Sequence, residues 1–143
     1  MEQQEKYVLN GFYKNAAVGK DAIFCVLEHT EDPELRKELC TQLEYYENQQ
    51  QKIRQQMKAS YLYPQEQGTL AKFCSSASIR MRCLGNTNSS RIAKLMIEGT
   101  NMGLIQLSRL LNRHTDIAAS IRQQGKEMIQ QEEAYLNHLK PYL

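Results

Sequence analysis

Nowhere does this chain approach the roughly 18 consecutive apolar residues that a membrane-spanning helix needs, so no span is expected. Proline is scarce, only 3 in 143 residues, and long stretches run without a breaker, which argues for an all-α chain. The opening MEQQEKYVLN lacks the basic and then apolar layout of a signal peptide, and a cytoplasmic location is expected. Net charge is only +2, with Lys and Arg scattered along the chain. The densest run, Arg80-Met81-Arg82 with Lys72 nearby, reads as a solvated face, so no nucleic-acid partner is expected. Cys25, Cys40, Cys74 and Cys83 form no CxxC pair and have no histidine at ligand spacing. In a reducing compartment they read as small core residues and not as a zinc site. There is no Gly-rich phosphate loop, and neither Ser75-Ser76 nor Ser89-Ser90 has a histidine at a predictable partner position.

What the chain does have is helical periodicity. With 41% hydrophobic and 24% charged residues it is of globular composition and long enough for one domain, 1–143. The organising stretch is Ser89–His114, where Ile92, Leu95, Met96, Gly99, Met102, Gly103, Leu107, Leu110 and Leu111 share one helical face behind a Ser-Ser cap. Two glycines on that face would admit a neighbouring helix closely. A first helix, about 5–28, carries a similar stripe: Val8, Phe12, Ala16, Gly19, Ala22, Ile23, Val26 and Leu27. Asp32 caps the second helix, about 33–59, and Pro33 suits its first turn. That helix buries Leu35, Leu39, Leu43, Tyr46, Ile53 and Met57, with its Gln-rich centre mostly on the solvent face. A shorter helix at about 67–84 follows a turn with Pro64 and Gly68. After Ser89–His114, a break capped by Thr115 or Asp116 leads to a last helix running to about Lys140 on Ile121, Gly125, Met128, Ile129, Leu136, Leu139 and Leu143.

The two halves match. Placing Gly19 on Gly103 also brings Val8 onto Ile92, Ile23 onto Leu107, Leu27 onto Leu111 and Asp32 onto Asp116 without a gap. The expected fold is therefore two antiparallel helix hairpins, 5–59 and 89–140, joined by a crossover that carries its own helix: a four-helix bundle of ferritin-like layout. The competing topology is a five-helix array without pseudo-symmetry.

Midway along, each stripe turns polar or very small. This central layer comprises Asn15, Tyr46, Gln50, Glu98, Gly99, Glu132 and Tyr135. Glu132 lies seven residues from both Gly125 and Leu139, at the centre of its face. A carboxylate there must be neutral, hydrogen-bonded or bound to a cation.

The hairpins and crossover resemble the ferritin-like superfamily over nearly the whole chain. NAAVGKDAI, IAKLMIEGTNMG and EEAYLNHLKPYL look like an uncharacterised bacterial branch of it. That resemblance implies a di-iron pattern, with a Glu on two helices and Glu-x-x-His on the other two. This sequence departs from it at most positions. Asn15 stands where a Glu would be, Glu44-Tyr45-Tyr46-Glu47 has no His, and Glu132-Glu133-Ala134-Tyr135 ends in Tyr. His29, His114 and His138 all sit near helix ends. The expected role is non-catalytic, without a cofactor: a bundle acting by self-association, as a homodimer, or by protein binding. Tyr61, Leu62 and Tyr63 form one apolar patch for contact. The alternative is a carboxylate bundle with Glu47, Glu98 and Glu132 holding iron or manganese in an oxidoreductase or storage role. The layer itself reads as a polar network, with Glu132 accepting from Tyr46 and from Asn15 or Gln50.

Overall fold

A computed structural model describes residues 3–60, 62–64 and 88–143. Four long helices make up nearly all of this: α1 (Gln3–Leu27), α2 (Pro33–Lys58), α3 (Ser89–Arg113) and α4 (Ala119–Leu139), closed by a 3-10 turn at Lys140–Tyr142. Among the described residues there is no strand, and no helix is long and apolar enough to cross a membrane. The expected 67–84 helix, Tyr61, Cys74 and Cys83 lie outside the described residues.

Asp32 starts α2 as its sequence suggests, its Oδ1 accepting from the Glu34 and Leu35 amides at 2.8 and 3.0 Å, with Pro33 in the first turn. These bonds satisfy amides that the helix itself leaves without acceptors. Two other caps differ from expectation. Asn88, not the Ser pair, caps α3 by accepting from the Arg91 amide at 2.9 Å, and Ser89 is already helical. Neither Thr115 nor Asp116 caps α4, which begins later, at Ala119. There the Ala118 amide donates to Glu5 Oε1 at 3.0 Å, so a carboxylate from α1 takes the place of a local cap. The C-terminal ends are treated alike in both halves. Arg36 donates to the Leu27 carbonyl at 2.7 Å, and Arg122 to the Leu111 carbonyl at 3.1 Å and the His114 carbonyl at 2.7 Å. A guanidinium suits these exposed carbonyls because the helix end carries partial negative charge. Leu27 and Leu111 are the positions that the half-to-half alignment superposes.

The core divides in two. One cluster joins Ala16, Ala22, Ile23 and Val26 of α1 to Leu35, Leu39 and Tyr46 of α2, Ile92, Leu95 and Met96 of α3, and Leu139 of α4. The other joins Val8, Leu9, Phe12 and Tyr13 to Ile53, Met57, Leu107, Leu111, Ile121 and Met128. The four apolar stripes thus meet in one bundle, and each fully buried Leu, Ile or Phe contributes about 2 kcal/mol. Two expected core positions stay wet: Met102 is 64% exposed and Leu143 61% exposed. Of the cysteines, Cys40 is exposed and free, not a core residue. Cys25 is buried as expected, yet it is disulfide-bonded and not a thiol.

Candidate functional site

The junction between the two clusters is polar. Asn15 projects from α1, Tyr46 from α2 and Glu132 from α4, each placed there by the same periodicity that buries its apolar neighbours. Asn15 Nδ2 donates to Glu132 Oε2 at 2.7 Å, and the Tyr46 hydroxyl donates to Oε1 at a long 3.4 Å. Glu132 is only 2% exposed. Burial pushes its carboxyl up from 4.5 to about 7, against the lowering effect of these two donors. Two bonds do not replace the water an ionised carboxylate loses, so desolvation wins. The same burial, with Glu132 nearby, drives the Tyr46 hydroxyl well above its ordinary value, and that hydroxyl stays a neutral donor.

Glycines make room for this layer. A Cβ on Gly19 would lie 2.6 Å from the Tyr46 ring, and one on Gly103 would lie 2.7 Å from Asn15 Oδ1 and 3.3 Å from Glu132 Oε1. No side chain fits at either position without displacing the layer. These are the two residues that the half-to-half alignment superposes, so the matched glycines are spatial partners of the polar centre.

Between α1 and α3 the layer opens into a groove of about 660 Å³. Glu132 and Tyr46 lie at its floor. Val18, Ala22, Val26, Leu95 and Met96 line one end, and Lys6, Tyr7, Lys14 and Gln106 line the other. That volume falls in the usual range for small-molecule sites, an apolar cleft with a few converging polar groups.

The other expected site residues are scattered. Gly99 lines the groove, but Gly103 and not Gly99 is packed against Asn15 and Glu132. Gln50 is buried, yet the hydrogen-bond partners of Glu132 are Asn15 and Tyr46. Tyr135 is buried edge-on against Tyr45 and outside the groove. Glu98 lies on the exposed side of α3, 4.0 Å from Lys94, and Glu47 is exposed on α2. Among the described residues no three His, Cys, Asp or Glu side chains gather where they could hold a metal ion. A dinuclear centre of the ferritin-like kind does not fit this donor set: the central layer holds a single carboxylate, Glu132, an amide stands opposite it, and the imidazoles lie at helix ends. His138 Nδ1 instead meets Glu38 Oε1 at 3.0 Å.

Sequence reasoning missed several buried polar groups. Gln42 is fully buried, its Nε2 donating to Glu38 Oε1 at 3.1 Å and to the Tyr135 carbonyl at 3.4 Å. Gln56 and Gln124 exchange reciprocal amide bonds of 2.8 and 2.9 Å. In a glutamine-rich helix nothing but phase marks which amides turn inward; Gln42 and Tyr46 are four residues apart and share a face. Comparison of the chain with protein-family models, with curated proteins and with solved structures finds no match.

Proposed function

We propose that this chain is a non-catalytic, ferritin-like helical bundle that holds a small organic ligand in the groove between α1 and α3. The single observation that carries the reading is a 660 Å³ groove with a buried carboxyl at its floor, lying where the bundle's polar layer opens to one side. A layer serving only to fix helix register has no need of a cavity, and Gly19, Gly99 and Gly103 line this one. The ferritin-like order finds support in the clusters: the end of α1 shares one with the starts of α2 and α3 and the end of α4. Antiparallel hairpins joined by a long crossover bring those ends together.

The test is a small-fragment screen by amide NMR on the full chain. The reading expects hits that move the Gly19, Gly99 and Gly103 amides together. Hits elsewhere, or none, would overturn it. A parallel dialysis against ferrous iron and manganese separates out the metal alternative, which requires stoichiometric uptake lost in Glu132→Gln.

Self-association is the second reading, favoured by Met102 and Ile105 standing 64% and 46% exposed on α3. Sedimentation of the wild type and of Met102→Lys with Ile105→Lys tests it: a dimer that dissociates in the double variant supports the homodimer, and a wild-type monomer excludes it.

A further inference from the structure

The groove is asymmetric, and the two side-chain atoms nearest Gly103 are both oxygens. Asn15 turns its amide nitrogen toward Glu132 Oε2, which leaves Asn15 Oδ1 on the side of Gly103. Glu132 Oε1 faces the same glycine, so two acceptor oxygens pack beside the Gly103 backbone, and both residues also line the groove. The nearest hydroxyl on α3 adds no donor there, because Thr100 Oγ1 is committed to the Met96 carbonyl at 2.8 Å. Tyr46 directs its hydroxyl proton at Glu132. Where Glu132 is ionised, a ligand group that meets these oxygens from the groove must donate hydrogen bonds, and a positively charged one gains most beside a desolvated carboxylate.

The flanks set the direction of the rest. The end lined by Val18, Ala22, Leu95 and Met96 is apolar, whereas Lys6 and Lys14 occupy the other. A cation seated at Glu132 would run its apolar part away from the lysines.

We propose that the groove takes an organic cation, a primary ammonium head against Glu132 Oε1 and Asn15 Oδ1 with an alkyl tail over Val18, Ala22, Leu95 and Met96. This rests on the small-ligand reading above and gives it a chemical class. Binding forms an ion pair, so where Glu132 is protonated the complex releases that proton to solvent. The titratable groups facing Glu132 are Tyr46 and Tyr45 from α2, and Tyr135 from its own helix stands against those tyrosines. Lys6 and Lys14 of α1 line the same groove, and among the described residues α3 lends it no titratable side chain. The tyrosines, all raised above their ordinary value by burial, stay neutral through the range tested.

The experiment is an NMR titration of the full chain with hexylamine, hexanol and hexanoate, followed at the Gly19 and Gly103 amides. With a carboxyl at about 7, hexylamine affinity should fall about 30-fold between about pH 8 and about pH 5.5. Hexanol affinity should stay level and lie below that of hexylamine at the higher pH. Glu132→Gln should erase both the amine preference and its pH dependence, with its amide NMR dispersion and cooperative urea melt showing that the variant is folded. Equal binding of hexanol and hexylamine, or best binding of hexanoate, would overturn the cation and leave the groove a small-ligand site. No shift with any of the three would overturn both.

Discussion

Replacing Glu132 with Gln should make the protein more stable at neutral and alkaline pH. The carboxyl titrates at about 7 in the fold and at its ordinary 4.5 when the chain is unfolded. A raised value means the native state holds its proton more tightly than the unfolded state does. That gain is fully present below about pH 4.5 and is lost as pH rises through about 7. The difference of two and a half units corresponds to about 3 kcal/mol. Glutamine has the shape of the neutral acid and still accepts from Asn15 or Tyr46, but it never ionises. Urea unfolding of wild type and variant at several pH values measures the difference directly. The variant should gain about 3 kcal/mol over wild type near pH 8, and the two should converge near pH 4.5. Asp21, also raised by burial, changes wild type and variant alike and cancels in the comparison. Parallel stability curves would refute the reasoning, because they would mean that Glu132 ionises as easily in the fold as outside it.

Gly19→Ala should lower stability by about 2 kcal/mol in urea melts, even though Ala favours a helix by about 1 kcal/mol, because its Cβ meets the buried Tyr46 ring at 2.6 Å. An unchanged or raised midpoint would mean that the ring can move. Asn15→Ala removes the short donor to Glu132, so it should cost about 1–3 kcal/mol near pH 8 and less near pH 5, where the acid is neutral. A pH-independent loss would contradict that pairing. Asp32→Ala frees two amides at the start of α2 and should cost about 1 kcal/mol, read from the same melts.

Periodicity carried the helices: the stripes at Val8, Phe12 and Ala16 and at Ile92, Leu95 and Met96 fall in the two clusters as their spacing requires. Asp32 and Pro33 likewise act where local chemistry places them. The caps of α3 and α4 were harder to read, since several polar residues compete at each break, and Glu5 reaches Ala118 across 113 positions of chain. Glu132 was legible as a buried acid because it interrupts an apolar line; of the donors expected for it, Tyr46 and Asn15 reach it and Gln50 is not among its partners. What the stripes could not say is how far α1 and α3 stand apart. Met102 belongs to an apolar face by spacing, yet it is 64% exposed, because the groove opens beside it. Gly99 and Gly103 are equivalent in sequence, and only the phase of α3 against α1 selects Gly103 as the one packed on Asn15.

The most direct test of Glu132 as the polar anchor of a ligand groove is its own titration, followed by carboxyl-carbon NMR with and without saturating hexylamine. The account expects a midpoint of about 7 in the free protein and a fall to about 5 or below once an ammonium group pairs with the carboxylate. A midpoint near 4.5 in the free protein, or one that stays near 7 with the amine present, would contradict it.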